Sequence, residues 1–242
     1  IDSDIVVSEG LISKAVRYLE NNNLLMLSLM AKLECKTTWE KLLIPSFIFF
    51  FQKLYPFNLV NNNFSNLAAA AGGFILCDAE VFKKENLYKK IRSKIIDDCN
   101  LAKLIKKRGG IWLGLTNLVK SQRRYEKLSE IWGMVSRTAF EQLKNSILLL
   151  LLSVIGLLLI YIIPFLNLFI FNHADNSLLY YLNFINISML ILVIVPTIRF
   201  YNLAPIYYFS VPFSALIYTL ITINSAYNFY FKEGNVWKGR KY

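Results

Sequence analysis

The feature that most constrains the fold is a nearly uncharged run from Ile147 to Phe231. Within it only Asp175 and Arg199 carry a formal charge, and the one histidine of the chain, His173, lies near the first. A helix needs about 20 apolar residues to cross the hydrocarbon core of a bilayer. Three apolar blocks of about that size make up the run, at residues 147–171, 178–198 and 204–229. The sequence therefore predicts a transmembrane domain of about three helices.

Nearly all the charged residues lie before this run. Residues 1–146 hold 22 of the 27 Lys and Arg and 14 of the 16 Asp and Glu, which leaves a net charge of +8 (22 minus 14). Such a basic surface attracts either nucleic acid or anionic lipid headgroups, and the attached apolar blocks favour the lipid. No zinc finger or basic-aromatic RNA-binding signature occurs. We expect a multi-pass protein of the inner (cytoplasmic) membrane, with a bilayer and no nucleic acid as partner.

The positive-inside rule leaves two topologies open. It places the basic residues 1–146 in the cytosol and the loop NHADNS, which has no Lys or Arg, outside. Three crossings would then put the basic tail, residues 232–242, outside as well, although it carries Lys232, Lys238, Arg240 and Lys241. Either one block is re-entrant or the tail is an exception to the rule.

Residues 1–146 alternate short apolar runs with helical patterns, an order typical of α/β folds. The first residues predict the end of a strand that runs into the acids Asp2 and Asp4. Further strands are expected at LLMLSLMAKLEC, FILC and IWLGLT, and a helix is expected to begin at Asp97 and to end before Gly109. From Asn117 to Lys144 the sequence predicts amphipathic helix leading to the membrane.

The segment at residues 39–57 is apolar but too short to span a bilayer. Pro45 interrupts it, and Lys41 and Lys53 flank its uncharged part. It is either a helix that lies in the membrane interface or a buried core helix. We favour the interface, because four of the five residues from Phe47 to Phe51 are phenylalanine and little polar surface remains.

Several kinds of chemistry are excluded by residue counts. The three cysteines, Cys35, Cys77 and Cys99, are widely spaced and form no CxxC pair, which argues against a disulfide framework or a zinc site. A single histidine excludes histidine-rich metal chemistry and makes a Ser–His–Asp triad an unlikely arrangement. Carboxylates, glycines and basic residues are left as the groups that could carry a function.

These groups occur in a fixed order: Asp2-Ser3-Asp4, Gly72-Gly73, Asp97-Asp98, a basic stretch, then the apolar blocks. In this order the sequence resembles the membrane-bound family-2 glycosyltransferases, which have the nucleotide-sugar-binding GT-A fold. Within that group it is most similar to the hopene-associated glycosyltransferases. The sequence segments that carry the resemblance are AAAAGGFIL, IIDDCNLAKLIKKRGGIWLGLT, SEIWGMVSRTAF and VWKGRKY. They extend over essentially the whole chain.

The resemblance implies an α/β fold, with residues 1–146 as the C-terminal portion of a GT-A domain, followed by the transmembrane domain. Family members carry a βαβ portion ahead of the DxD motif that holds the base and ribose of the donor. The chain is therefore expected to be the C-terminal part of a longer enzyme. The implied reaction is inverting transfer of a sugar from a nucleotide-diphosphate-sugar to a membrane lipid, a hopanoid or another isoprenoid or glycolipid acceptor.

The resemblance also implies roles for individual residues. Asp2 and Asp4, as the DxD motif, would hold Mg²⁺ or Mn²⁺ against the donor diphosphate. Asp98 would be the general base for the acceptor hydroxyl, supported by Asp97. The backbone of Gly72 and Gly73 would line the donor or acceptor site.

The basic residues of the site match the family less well. Many members carry a Q/R-x-x-R-W motif, of which only Arg137 remains in the corresponding run MVSRT. Arg137 is therefore a phosphate-contact candidate, and Gln122 and Arg124, next to Arg123, form a second cluster. The departure argues against processive polymer synthesis and favours the transfer of a single sugar.

Two other classes of protein compete with the enzyme. In a non-catalytic membrane assembly protein, the acids would only cap helices, and the incomplete arginine motif leaves room for this alternative. A transporter or channel subunit would need ionisable residues inside the membrane, and the apolar blocks contain almost none. The transporter therefore ranks last.

Overall fold

The structure is a computed structural model that describes residues 1–84, 86–92, 94–170, 177–232, 236–237 and 240–241. The chain forms two compact units. The first consists of Ile1–Glu34 and Phe51–Arg124, and the second of Cys35–Phe50 and Tyr125–Lys241. Residues 35–50 and 125–146 thus group with the apolar helices rather than with the sheet.

The first unit is built on a four-stranded mixed sheet with the order β1-β4-β2-β3. Its strands are β1 (Ile5–Val7), β2 (Leu24–Lys32), β3 (Phe74–Cys77) and β4 (Gly110–Ser121). β2 and β4 pair in parallel at the centre, and β1 and β3 are antiparallel edges. β2 is almost continuously apolar because helices cover both faces of the sheet.

The helices of the first unit form two layers. They are α1 (Leu11–Asn21), α3 (Phe57–Val60), α4 (Ala79–Lys84), α5 (Leu87–Ile91) and α6 (Asp97–Lys106), with the last residues of α2 (Thr38–Leu54). α1 packs with Leu27 and Leu29 of β2 on one face of the sheet. α6 packs with Met26 and Leu113 on the other. The sequence prediction of an α/β part is confirmed.

The sequence prediction was wrong at two places in this unit. β4 does not end at Thr116 but continues to Ser121, and the helix expected from Asn117 onward does not begin until Leu128. Val119 and Ser121 are buried while Lys120 is exposed, the period of two that a strand requires, and β1 pairs with these residues. Asp2-Ser3-Asp4 forms the turn that leads into β1, so the strand described beside the acids, Ile5–Val7, follows them.

The second unit consists mainly of helices. They are α2 up to Phe50, α7 (Leu128–Ser136), α8 (Ala139–Gln142), α9 (Ile147–Leu157), a π-helix (Leu158–Ile162), α10 (Ile163–Ile170), α11 (Ser177–Phe200), a 3₁₀-helix (Pro205–Ser210) and α12 (Val211–Phe231). Two short strands, β5 (Val236–Trp237) and β6 (Arg240–Lys241), pair in antiparallel fashion. The core of the unit joins α2 to α11 and α12 through Phe49, Ile194, Ile198 and Ala215.

Three helical stretches of the described chain are long and apolar enough to cross a membrane. They are Ile147–Leu168, Leu178–Phe200 and Pro205–Phe231. The expectation of about three such helices is confirmed as far as their length and composition are concerned. Most of the loop NHADNS, with His173 and Asp175, and residues 233–235, 238–239 and 242 of the tail lie outside the described residues. The expectations about the side of the membrane that loop and tail occupy stay predictions.

α2 passes through Pro45 with one side buried in the second unit. Leu43, Ile44 and Ile48 are fully buried. Because proline has no N–H, it loosens the helix turn around it. Two side chains of α12 bond to carbonyls in the turn before Pro45: Ser214 donates a hydrogen bond to the carbonyl of Leu42 at 2.9 Å, and Tyr218 donates one to that of Leu43 at 2.8 Å. The interfacial position of residues 39–57 stays a prediction.

Candidate functional site

The turn that carries Asp2 and Asp4 is held at both ends by main-chain hydrogen bonds. The N–H of Asp2 donates to the carbonyl of Gly73 at 3.4 Å, and the carbonyl of Asp4 accepts from the N–H of Gln122 at 2.8 Å. The Asp4 side chain is half-buried, and its Oδ2 accepts the hydroxyl of Ser121 at 2.7 Å. Asp2 is exposed. The two carboxylates therefore have different surroundings, although one residue separates them.

The second pair of carboxylates begins α6. Oδ1 of Asp97 accepts the N–H of Asp98 at 2.9 Å, and Oδ1 of Asp98 accepts the N–H of Cys99 at 2.6 Å. Asp97 is exposed and Asp98 is half-buried. The Asp97 side chain thus accepts one of the free N–H groups at the helix start. The Asp98 side chain turns toward the interior of the unit.

Gly72 is the point at which the two pairs of carboxylates meet. A Cβ atom at this position would lie 3.5 Å from Oδ2 of Asp98 and 3.7 Å from Oδ2 of Asp2. The N–H of Gly72 also donates a hydrogen bond to the Asp98 carboxylate. The structure therefore brings Asp2, Gly72 and Asp98 together, from three separate places in the sequence. A side chain at position 72 would enter the space between the carboxylates.

Gly73 is required for a different reason. A Cβ atom there would lie 3.0 Å from Cβ of Ala31 and 3.3 Å from Cδ1 of Ile5. This is closer than most real Cβ contacts, so the side chains of Ala31 and Ile5 would have to shift by a few tenths of an ångström to admit a larger residue. The side-chain direction of Gly73 thus faces the core, and only that of Gly72 faces the carboxylates.

Asp98 has a strongly altered ionisation. Its pKa is raised from an ordinary value of 3.8 to about 6, mainly by burial and in addition by the neighbouring charge of Asp97. Hydrogen bonds from the N–H of Cys99, the N–H of Gly72 and the Cys99 thiol act in the opposite direction. A carboxyl whose pKa lies close to the working pH is suited to accept a proton during a reaction.

Two buried residues beside Asp98 gave no signal in the sequence. Cys99 is fully buried, and its Sγ lies 3.4 Å from the carbonyl oxygen of Ala70. Tyr55, directly after α2, is also buried and belongs to the same apolar cluster as Cys99. Burial raises the pKa of the Cys99 thiol to about 12 and that of Tyr55 above its ordinary value. Both groups are therefore neutral at physiological pH.

The predicted basic residues lie in different parts of the chain. Gln122 is exposed and bonds to the main chain of Asp4, and Arg124 follows two residues later, exposed at the end of the first unit. Arg137 is half-buried at the C-terminal end of α7 and belongs to the second unit. The structure thus joins Gln122 to Asp4, and a phosphate contact by Arg124 or Arg137 stays a prediction.

The carboxylates of the turn are suitable ligands for a divalent cation. No group of three His, Cys, Asp or Glu side chains that could hold a metal is present among the described residues. Mg²⁺ does not require one, because it keeps several waters and binds through one or two carboxylates together with substrate phosphates. Asp2 and Asp4 fit this requirement, with Asp4 already holding one oxygen against Ser121.

Comparison with known proteins provides no relative for this site. No protein-family model matches the chain, and neither a curated protein nor a solved structure matches it. The interpretation of the grouping of Asp2, Gly72 and Asp98 therefore depends on its own chemistry and on the resemblance of the sequence segments to the family-2 glycosyltransferases.

Proposed function

We propose that the protein transfers a sugar, with inversion, from a nucleotide-diphosphate-sugar to the hydroxyl of a membrane lipid. The observation that carries this proposal is the approach of the Asp2 and Asp98 carboxylates to the backbone of Gly72. These are residues to which the resemblance assigns metal binding, sugar contact and proton transfer. The first unit would then be part of a GT-A domain.

In this proposal Asp98 is the general base. Its carboxylate takes the proton of the acceptor hydroxyl, the hydroxyl oxygen forms a bond to the anomeric carbon, and the bond from that carbon to the diphosphate breaks. With a pKa of about 6, most Asp98 side chains are ionised at neutral pH and remain more basic than an ordinary aspartate. Asp97 holds the backbone at the helix start and so supports the position of Asp98.

The donor diphosphate would lie near the turn of Asp2 and Asp4. Asp2 and Asp4 would hold a Mg²⁺ or Mn²⁺ ion there, which would neutralise charge on the departing diphosphate. Gly72 leaves room for the sugar because it has no side chain. Gln122, Arg124 and Arg137 are candidates for contacts to the phosphates or the acceptor, with their positive charges or amide group as the chemical reason.

The acceptor is proposed to be a membrane lipid because the same chain carries three helices that are apolar enough to cross a membrane. Hopanoids and other isoprenoid or glycolipid alcohols offer the required hydroxyl. The proposed location is the inner membrane, with the carboxylates on the cytosolic side, where nucleotide sugars are available.

Labelled lipid formed from a labelled nucleotide sugar tests the proposal. Membranes that contain the full-length protein are incubated with a panel of such donors and Mg²⁺ or Mn²⁺, and the lipid extract is analysed. We expect label in the lipid fraction with one class of donor, its loss in Asp98→Asn, and its retention in large part in Asp97→Asn. No labelled lipid with any donor, from protein correctly inserted in the membrane, would support the non-catalytic alternative.

A further inference from the structure

The stretch that contains α5 and α6 carries a large share of the positive charge of the protein. Residues 83–108 hold ten of the 27 Lys and Arg and three of the 16 Asp and Glu, a net charge of +7 (10 minus 3) out of +11 for the chain. Two of these acids, Asp97 and Asp98, begin α6 and belong to the site already described. The basic residues of the stretch have no role in the proposed reaction, so their placement needs a separate explanation.

Three of these basic residues line one cavity of the first unit. The cavity has a volume of about 390 Å³, and its lining consists of Leu87, Lys90, Leu104, Lys107 and Arg108. The three cationic side chains are exposed, whereas Leu87 is buried and Leu104 is half-buried. Sites for small ligands have volumes of about 300–1,000 Å³ and combine apolar walls with a few polar groups. The cavity fits this description, and each of its polar side chains is a cation.

The helix dipole explains only part of this arrangement. Cations near the last turn of a helix interact favourably with its dipole, which accounts for Lys90 in α5 and for Lys107 after α6 when each is taken alone. It does not account for the convergence of cations from two helices on one space, where like charges repel each other. Among the residues that the structure describes, no acid lines the cavity. A bound anion would reduce the repulsion.

The cavity lies at the other end of α6 from the carboxylates. Asp98 is in the first turn of the helix, and Lys107 follows its last residue. Its 10 residues span about 15 Å, because an α-helix rises about 1.5 Å per residue. An anion held in the cavity is therefore distinct from the donor diphosphate proposed for the turn of Asp2 and Asp4.

We propose that the cavity between α5 and α6 is a binding site for a phosphate group, held by Lys90, Lys107 and Arg108. The planar guanidinium of arginine matches two phosphate oxygens at once, and lysine supplies a compact point charge. The two leucines suit the organic part of a phosphate ester. This phosphate belongs either to the headgroup of an anionic lipid or to a soluble compound, since both offer the same chemistry. The inference does not depend on the proposed glycosyl transfer.

The first test is a calorimetric titration of the full-length protein in detergent with inorganic pyrophosphate. EDTA removes divalent cations, so that the proposed metal site does not contribute to binding. We expect the unaltered protein to bind, and Lys107→Gln and Arg108→Gln each to lose about 10-fold in affinity, because each removes a charge-assisted contact. Both side chains are exposed, so neither exchange disturbs the core. Asp2→Asn should bind pyrophosphate as the unaltered protein does.

Lys14→Gln is the matched control. Lys14 is exposed on α1, on the opposite face of the sheet, and its exchange removes the same charge from the same unit. Because salt screens charges that lie far from the cavity, the affinity for pyrophosphate should change little. A loss in Lys14→Gln as large as that in Lys107→Gln would mean that net charge alone attracts the anion, and the inference would be overturned.

A second titration separates the two sources of the phosphate. Short-chain phosphatidic acid is compared with pyrophosphate, and phosphatidylcholine with the same chains is the zwitterionic control. Phosphatidic acid that binds more tightly than pyrophosphate, and loses affinity in Lys107→Gln and Arg108→Gln, would assign the site to a lipid headgroup. The reverse order of affinities would assign it to a soluble phosphate compound. If neither phosphatidic acid nor pyrophosphate shows binding that depends on Lys107 and Arg108, the inference is wrong, whatever the outcome of the glycosyl-transfer assay.

Discussion

At the scale of single residues, Asp97 and Asp98 show how one helix start holds two carboxylates for different purposes. The sequence predicted both acids and the helix that they begin, because the signals for a helix start are local. It could not predict that Tyr55 is buried in the same cluster as Cys99, the residue after Asp98. Tyr55 directly follows another helix, and only the packed core brings it to this cluster.

The raised pKa of Asp98 predicts how stability depends on pH. Between an ordinary pKa of 3.8 and the folded value of about 6, the folded state binds more protons than the unfolded state. Stability from this group is therefore lost as pH rises through about 6, and its ionisation destabilises the fold by a few kcal/mol, at about 1.4 kcal/mol per pKa unit. The Tm of Asp98→Asn minus that of the unaltered protein should therefore increase from about pH 5 to about pH 7.

The measurement is thermal unfolding in detergent over this pH range. Asp97→Asn is the control, since Asp97 is exposed and its Tm difference should change little across the same range. A Tm difference for Asp98→Asn that is constant or decreases with pH would contradict the raised pKa.

Asp2 and Asp4 are predicted to contribute unequally to metal-dependent binding of the donor. Asp2 is exposed and approaches Gly72, whereas one oxygen of Asp4 is held by the Ser121 hydroxyl. We expect Asp2→Asn to weaken Mg²⁺-dependent binding of the nucleotide sugar by roughly 10-fold or more, and Asp4→Asn to weaken it less. Calorimetric titration with and without Mg²⁺ measures both.

The control for this prediction is Asp98→Asn, which should leave metal-dependent binding largely intact while transfer is lost. An equal loss of binding in Asp98→Asn would mean that Asp98 is a ligand rather than the base.

At the scale of elements, local patterns predicted the helix that begins at Asp97 better than the length of β4. The strand prediction stopped at Thr116 because Asn117 interrupts the apolar run. From Leu118 to Ser121 the residues alternate between exposed and buried, but the deciding interaction is pairing with β1, more than a hundred residues earlier. A strand that depends on a distant partner gives only a weak local signal.

The start of α2 offers a prediction of the same kind. Glu40 is fully buried, and its carboxylate accepts the N–H groups of Lys36 and Thr37 at 2.8 and 2.9 Å and that of Tyr125 at 2.7 Å. Burial alone would raise its pKa, but these hydrogen bonds lower it. The motif TTWE resembles a capping box in sequence, whereas the bond to Tyr125 depends on the fold.

Glu40→Gln should destabilise the protein by roughly 2–4 kcal/mol, since one amide group cannot accept three N–H groups from two sides. Glu130→Gln is the matched control, because Glu130 caps α7 through the N–H of Lys127 at an exposed site. It should cost about 1 kcal/mol or less. Thermal unfolding in detergent compares the two, and similar losses would show that the contact with Tyr125 contributes little.

At the scale of the whole molecule, the three helices that are apolar enough to cross a membrane were the most predictable feature. Hydropathy depends on the length and composition of a segment and needs no knowledge of its partners. It did not show that residues 35–50 and 125–146 belong to the same compact unit as the apolar helices, because that grouping depends on contacts such as those of Tyr218 with α2. Composition therefore located the helices, and packing decided what surrounds them.

α11 allows the bilayer itself to be tested. Only 11% of its most apolar stretch is buried inside the protein. Met189, near the middle of the stretch, is 60% exposed, and Leu178, at its beginning, is 69% exposed. A charge at the centre of a membrane helix costs about 2.5–3.5 kcal/mol in insertion, whereas an arginine at the end can reach the headgroups with its long side chain.

We therefore expect Met189→Arg to reduce the membrane-inserted fraction strongly and Leu178→Arg to leave it nearly unchanged, as measured by alkaline extraction of isolated membranes. In water the two exposed positions would tolerate arginine equally well, because neither side chain is needed for packing. Equal behaviour of the two variants would contradict the assignment of α11 to the bilayer. With it the proposal of a membrane lipid as acceptor would lose its main support, because that choice depends on the apolar helices rather than on the carboxylates.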